Sequence, residues 1–219
     1  MAQRLIVEGN DAIFLSQLCK LKGLPPPLGY SNPVKYRKEF VKSAGGISKV
    51  KLILKEELQS PEVTHIGVIV DANEVGVAGR WDSLKQTIES TLSIKIRVSD
   101  FPHHGFIQTL SDQSLQLGVW IMPDNEHQGY LEHFATELVE QGNSILAFTR
   151  EILDDFWEKD FCQLTEPRKQ KALLHTYLAL QEKPGLSLGT ALAAGYFEKD
   201  SLLAKRFLNW FQHTFELGY

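Results

Sequence analysis

Acidic residues follow two short apolar runs in this chain. Residues 5–7 (Leu-Ile-Val) lead into Glu8 and Gly9, and residues 66–70 (Ile-Gly-Val-Ile-Val) lead into Asp71. Short runs rich in Val and Ile are typical of buried parallel strands, and ligands of open α/β sheets bind beyond the carboxyl ends of such strands. Two carboxylates placed there could share one hard divalent cation, either Mg²⁺ or Mn²⁺, because these ions bind oxygen ligands. As an alternative, each acid caps the helix that follows it.

Three further residues could complete such a metal site. Asn73 lies two residues after Asp71 and offers a neutral amide oxygen, Asp124 follows another apolar stretch, and Glu132 stands in the first turn of a predicted helix. Taken singly, each is explained equally well as a turn former or as a carboxylate that the helix dipole favours. The predicted metal-binding set is Glu8, Asp71, Asn73, Asp124 and Glu132, with Glu8 and Asp71 as the catalytic pair.

Positive charge is concentrated between residues 35 and 55, which include seven Lys or Arg residues and one Glu. This segment brackets Gly45 and Gly46, which directly precede a predicted helix. Glycine backbone amides and a helix N-terminus favour anions, so a phosphate-bearing ligand would fit there. A solvated helix face is the alternative explanation of the lysines. The predicted phosphate-binding residues are Gly9, Lys42, Gly45, Gly46 and Lys49.

The elements that must position these residues alternate between strand and helix in the first half of the chain. Strands are predicted over 4–7, 39–43 and 64–70, and helices over 11–22, 47–58 and 80–92. Strand-like residues 105–110 and 115–122 follow, which predicts a hairpin at the edge of the sheet. Helical spacing then dominates, with predicted helices over 130–139, 144–157, 167–181, 187–194 and 201–216.

This order of elements predicts an α/β fold with a mostly parallel sheet flanked by helices and a C-terminal helical subdomain. We place the α/β domain at residues 1–135 and the helical subdomain, packed on it, at 136–219. The last helix carries an aromatic stripe of Phe207, Trp210 and Phe211, continued by Phe215. Such a stripe is typical of a core-facing helix rather than of a cofactor site.

The composition limits the classes of function. The chain has 219 residues and a formal net charge of −4, so charge alone does not make it a nucleic-acid coat protein. No apolar run approaches the roughly 20 residues needed to span a bilayer, and Met1 leads directly into a predicted strand rather than a signal peptide. The two cysteines, Cys19 and Cys162, form no disulfide or zinc pattern. We therefore expect a cytoplasmic location and no membrane partner.

Three stretches together resemble a known domain. They are Val7-Glu8-Gly9, then Val70-Asp71-Ala72-Asn73, then residues 120–125 (Trp-Ile-Met-Pro-Asp-Asn) with 129–132 (Gly-Tyr-Leu-Glu). Their order and spacing resemble the Toprim domain of topoisomerases, DnaG-type primases and OLD-family nucleases. The chain is most similar to a stand-alone Toprim-related family of unknown function, the DUF3226 type. The resemblance covers residues 4 to 135, and the stretch from Trp120 is the most specific to this group.

The resemblance implies a Toprim-like, Rossmann-like fold and roles for two residues. In Toprim enzymes the glutamate after the first strand acts as a general acid or base and a pair of aspartates binds Mg²⁺, so Glu8 takes the first role and Asp71 the second. Asn73 stands where the second aspartate is expected, and Ala12 stands where related proteins often carry another acid. An amide in place of a carboxylate removes one negative charge, so Mg²⁺ should bind more weakly.

Two functions follow as hypotheses. The first is a Mg²⁺-dependent phosphodiester or phosphoryl-transfer enzyme, nuclease-like, that acts on nucleic acid or a nucleotide. The alternative is a catalytically weakened Toprim-like module that binds a nucleotide, a nucleic acid or a protein partner, with the helical tail as its interaction surface. A third reading leaves the acids as helix caps only. The sequence makes no prediction of the oligomeric state.

Overall fold

The computed structural model of the chain describes residues 2–9, 12–24, 39–110 and 114–217. In that part of the chain one sheet contains β1 (Ala2–Val7), β2 (Val41–Ser43), β3 (Val63–Asp71), β4 (Phe106–Leu110) and β5 (Leu115–Met122). The strand order is β2-β1-β3-β5-β4, and β4 is antiparallel to β5 while the other pairs are parallel. The predicted α/β fold with a mostly parallel sheet flanked by helices is therefore confirmed, and the antiparallel pair lies at the predicted edge.

Eight α-helices lie within the described residues. They are α1 (Ala12–Leu21), α2 (Ile47–Leu58), α3 (Gly76–Leu92), α4 (Leu131–Glu137), α5 (Ser144–Trp157), α6 (Glu166–Ala179), α7 (Leu188–Ala193) and α8 (Leu202–Thr214). The predicted first residue of α1, Asp11, and the hairpin turn at 111–113 lie outside the described residues, as do the basic residues Lys35, Arg37 and Lys38.

Most of these helices begin and end within two residues of the prediction, but α3 begins at Gly76 rather than at Arg80. A short 3-10 turn, Asn73–Val75, leads into it, and Gly76 adopts φ 73°. Gly76 and Gly79 have low helix propensity, which hid the first turn of α3 from the sequence pattern. Local signals elsewhere agree with the structure, since the side chain of Asn143 accepts a hydrogen bond from Leu146 N–H and so caps α5.

The two faces of the sheet carry separate apolar cores. Successive strand side chains point to opposite faces. On one face Ile6 and Val70 pack with α2 and α3. On the other face Val7 and Ile69 pack with α1 and the C-terminal helices. This second core contains residues from both sides of the predicted boundary at 135, so the C-terminal helices and the sheet share buried surface, whereas the domain division itself stays a prediction.

Helix α8 covers the centre of the second face. Its predicted aromatic stripe is buried, which confirms the expectation of a core-facing helix. Two strand glycines allow the close approach: a Cβ on Gly118 would lie 2.1 Å from Thr214 Oγ1, and one on Gly67 would lie 2.6 Å from the Phe215 ring. Trp210 Nε1 also donates a hydrogen bond to the backbone of β4, at Phe106 O, over 3.2 Å.

The order of the strands creates a crevice between β1 and β3. From β1 the chain passes through α1 to β2 on one side, and from β3 it passes through α3 towards β5 on the other. Helices α1 and α3 lie on opposite faces of the sheet. Such a reversal opens a crevice beyond the carboxyl ends of the two strands, where open α/β sheets bind their ligands. We call this place, flanked by residues 8–9 and 71–73, the β1/β3 crevice. None of the described helices combines the length and apolarity that crossing a membrane requires.

Candidate functional site

The structure brings Glu8 and Asp71 together across the β1/β3 crevice. Glu8 Oε2 accepts a hydrogen bond from Asp71 N–H over 3.1 Å. Glu8 N–H donates to Ile69 O, also over 3.1 Å, which continues the parallel ladder one residue beyond β1. Both acidic residues are partly exposed. The carboxylate of one strand end therefore binds the backbone of the next, and the two predicted catalytic residues are neighbours.

The glycine turn before α2 lies against the same strand end. Gly45 and Gly46 N–H both donate to Glu8 O, over 2.8 and 3.2 Å. Their φ values of 75° and 137° are ones that glycine adopts readily. These two amides would have to leave Glu8 to bind a phosphate. Of the predicted phosphate-binding lysines, Lys49 is exposed and Lys42 is half-buried on β2. The phosphate-binding role of this turn stays a prediction.

Asn73 has a structural role in the loop after β3. It adopts φ 52°, a left-handed conformation that asparagine tolerates better than most residues. Its N–H donates to Gly129 O, and the N–H of Ala72 donates to Met122 O, each over 3.0 Å. These bonds join the loop after β3 to β5 and the segment beyond it, so the ends of three strands form one continuous edge.

Asp124 directs its carboxylate into its own loop. Oδ1 accepts hydrogen bonds from the N–H groups of Glu126 and His127, over 3.0 and 2.9 Å, and Oδ2 lies 2.7 Å from His127 Nδ1. Burial opposes ionisation of Asp124, but the hydrogen bonds from His127 and Glu126 outweigh it and lower the pKa of the carboxyl group below its ordinary value. The His127 pKa is raised in return by the hydrogen bond and charge of Asp124. Arg206 donates to Asp124 O over 3.1 Å and holds the loop from α8.

Glu132 lies in the first turn of α4, where its Oε1 is 3.8 Å from Lys171 Nζ. Glu132 is also one of three acids that affect Tyr130. Burial raises the pKa of Tyr130, and so do the negative charges of Glu74, Asp71 and Glu132. Tyr130 thus lies within electrostatic reach of acids from the loop after β3 and from α4. In the sequence this tyrosine is only one residue of the motif at 129–132, since a tyrosine before a helix has no metal-binding signature.

Arg80 is the second residue that sequence reasoning missed. It lies on α3 with only 6% of its surface exposed, and its Nε donates to Asp71 O over 2.8 Å. In the sequence it reads as the first residue of an amphipathic helix. The only available signal was its position nine residues after Asp71, which points to no particular chemistry.

The acids fit some metal ions better than others. Within the described residues no group of three His, Cys, Asp or Glu side chains lies close enough together to hold a metal. A zinc site uses three or four such ligands, whereas Mg²⁺ is commonly held by one or two carboxylates and keeps several waters. Glu8 and Asp71 are therefore residues that could hold Mg²⁺ or Mn²⁺, whereas for Asn73 the structure gives a backbone contact, from its N–H to Gly129 O.

The fold and the paired strand ends define the class: an α/β protein with an acidic crevice at the point where its strand order reverses. A family model described as a protein of unknown function, DUF3226, matches residues 2–216. The chain belongs to the DUF3226 family, as the resemblance in the sequence predicted. Comparison with curated proteins finds no match, and neither does comparison with solved structures.

Proposed function

We propose that this protein is a Toprim-type, Mg²⁺-dependent enzyme that transfers phosphoryl groups or cleaves phosphodiesters in nucleic acid or nucleotides, with Mn²⁺ able to replace Mg²⁺. The observation that carries the proposal is the 3.1 Å hydrogen bond between Glu8 Oε2 and Asp71 N–H across the β1/β3 crevice. It supports one shared pocket for two carboxylates that lie 63 residues apart in the chain. The Toprim relationship and the cytoplasmic location stay predictions from the sequence.

Each acid has a distinct role in this proposal. Asp71 and Glu8 hold the cation, and the bound cation would stabilise the negative charge that develops on the transferred phosphoryl group. Glu8 also moves a proton to or from the reacting oxygen. The Asp71 N–H orients the Glu8 side chain for that role, because it anchors Oε2 to β3. The two main-chain bonds from Gly45 and Gly46 to Glu8 O fix the backbone beneath it.

One observation favours the alternative, a catalytically weakened binding module. The absence of a three-acid group within the described residues, together with the neutral Asn73, gives the crevice less negative charge than a full set of aspartates would. A module of this kind would bind a nucleotide, a nucleic acid or a protein partner without cleaving it. The C-terminal helices expose Phe148 on α5, 55% exposed, and Phe161 just beyond it, 70% exposed, and a protein partner would bind at these side chains in this alternative.

Nuclease and phosphatase assays separate the two functions. The purified protein is incubated with single- and double-stranded DNA, RNA and nucleoside triphosphates, with Mn²⁺, Mg²⁺ or EDTA. We expect metal-dependent cleavage that falls by on the order of 100-fold in Glu8→Gln and in Asp71→Asn. The matched controls are Glu62→Gln and Asp82→Asn, because both of these acids are exposed and lie outside the crevice. They should retain full activity.

The binding-module function is favoured if no substrate is cleaved in Mn²⁺ and the crevice variants behave as wild type. Deleting the tail would not test it, because α8 forms part of the sheet's core. Phe148→Ser and Phe161→Ser change only exposed positions, and a partner that uses this surface should bind them more weakly. Undiminished binding would remove that role from the C-terminal helices.

A further inference from the structure

Arg80 is a buried cation at the end of β3. Only 6% of its surface is exposed, and its Nε donates to Asp71 O over 2.8 Å. Arginine is rarely buried to this degree unless a carboxylate pairs with it, because removing a charge from water is costly. Within the described part of the chain, no carboxylate forms an ion pair with Arg80.

The direction of Arg80 follows from the hydrogen bonds of β3. The N–H of Ala72 donates to Met122 O, so Ala72 faces β5. The backbone groups of neighbouring residues in a strand face opposite neighbours, so the N–H and C=O of Asp71 face β1. The bond from Asp71 N–H to Glu8 agrees with this. Because Arg80 Nε binds Asp71 O, its guanidinium lies on the β1 side, in the β1/β3 crevice.

The guanidinium keeps donors to spare. It carries five N–H donors and remains charged in proteins, and the bond to Asp71 O uses the one on Nε. Within the described residues the two terminal nitrogens have no hydrogen-bond acceptor, and neither of them is fully buried. The terminal nitrogens therefore have donors left for a ligand.

The other candidates for binding an anion are less well placed. The amides of Gly45 and Gly46 already donate to Glu8 O. Lys49 is exposed on α2, and Lys42 is only half-buried on the edge strand β2. Among these groups, Arg80 alone combines a positive charge with a hydrogen bond to a residue of the crevice.

We propose that Arg80 is the anion-binding residue of the β1/β3 crevice and that its terminal nitrogens hold phosphate oxygens of the ligand. A planar guanidinium matches two oxygens of one phosphate, and its anchored Nε fixes the direction of the fork. The assignment rests on the proposed function only for the identity of the anion as a phosphoryl group. The proposal places the phosphate contact at Arg80 on α3 instead of at Gly45 and Gly46.

The test uses inorganic pyrophosphate as the probe and calorimetry on the 219-residue chain in Mg²⁺. We expect Arg80→Gln to weaken pyrophosphate binding at least about tenfold, because it removes two charge-assisted hydrogen bonds. The matched control is Arg97→Gln, at an exposed position on the chain beyond α3, and it should stay within about twofold of wild type. Lys42→Gln and Lys49→Gln test the competing site at the glycine turn and should lose less affinity than Arg80→Gln. Equal affinity in Arg80→Gln and wild type, or a larger loss in Lys49→Gln, would overturn the assignment.

A second arm separates this proposal from the metal site. The double variant Glu8→Gln with Asp71→Asn, measured in EDTA, lacks the negative charges of both crevice acids, which repel an anion. We expect that variant to bind pyrophosphate more tightly than wild type does in EDTA, and the gain should vanish when Arg80→Gln is added. If the wild-type protein shows no metal-dependent activity and this gain is still found, the enzyme proposal is rejected and the anion site is kept. No gain would reject the anion site even if metal binding is found.

Because Arg80 is buried, its variants can be unstable, so Arg80→Lys and the wild type provide independent readings. Lysine keeps the charge but loses the planar fork, and its affinity should fall between those of wild type and Arg80→Gln. In the wild-type protein, the Arg80 Nε–Hε NMR resonance should shift on addition of pyrophosphate and not on addition of chloride at equal ionic strength. An unmoved resonance at saturating pyrophosphate contradicts the proposal without any substitution.

Discussion

The β1/β3 crevice and the loop after β5, residues 123–128, look alike in the sequence and differ in the structure. Each has an acid within two residues of the end of a buried strand, at the same edge of the sheet. In the loop after β5, both oxygens of Asp124 bind groups of that loop. In the crevice, the Glu8 carboxylate reaches a different strand, at Asp71 N–H. The hydrogen-bond partners of an acid thus distinguish an acid that stabilises its own loop from one that is a candidate to bind a ligand.

The largest difference should appear in metal affinity. Glu8→Gln and Asp71→Asn should each weaken Mn²⁺ binding by on the order of 100-fold, because each removes one of two negatively charged ligands. Asp124→Asn should leave the affinity within about twofold. Calorimetric titration with Mn²⁺ measures all three. If Asp124→Asn loses as much affinity as Glu8→Gln, the two regions do not differ in the way described.

The free energy of unfolding should show the opposite order, with the larger loss in the loop after β5 and the smaller loss in the crevice. Asn125, 2% exposed, accepts from Ile121 N–H over 2.7 Å and donates to His103 O over 3.1 Å. Asn125→Ala leaves a buried N–H without its acceptor and should lower the free energy of unfolding by about 2 kcal/mol. Glu8→Gln should cost less than about 1 kcal/mol, because the amide oxygen can still accept from Asp71 N–H. Urea denaturation compares the two variants, and a larger loss in Glu8→Gln would make Glu8 a structural residue.

The sequence predicted the elements better than the site. Apolar spacing at Val50, Leu54 and Leu58 marked α2, and these residues are buried as the pattern requires. The strand ends likewise predicted the positions of Glu8 and Asp71. Neither signal could show that Asp124 would turn its oxygens onto the N–H groups that follow it, because that depends on the path of the loop.

Arg80 escaped the sequence analysis for a different reason. Two glycines hid the first turn of α3, so the register of that helix against the end of β3 was not visible. The contact of Arg80 with Asp71 O depends on how α3 packs on the sheet, and periodicity alone does not determine that packing. Long-range partners of this kind need the assembled fold.

The smallest effect concerns the pH response of the loop after β5. Because Asp124 raises the pKa of His127, this histidine should titrate above about 6.5, and in Asp124→Asn it should return towards that value. The stabilisation by His127 is full below about pH 6.5 and is lost as pH rises through its raised pKa. The stabilisation by Asp124 is full above about pH 3.9 and is lost as pH falls through its lowered pKa.

Histidine NMR titration measures this response with and without Mg²⁺. The bond between Asp124 and His127 belongs to the loop, so saturating Mg²⁺ should leave the His127 midpoint unchanged. A midpoint that falls when Mg²⁺ is added would mean that the cation competes for the Asp124 carboxylate. The contrast between the two regions would then be lost.

The most direct test of the central claim is anomalous diffraction from crystals of the wild-type protein soaked in Mn²⁺. We predict a peak in the β1/β3 crevice, about 2.1 Å from carboxylate oxygens of both Glu8 and Asp71. A peak only at Asp124 or Glu132, or no peak at saturating Mn²⁺, would contradict the account.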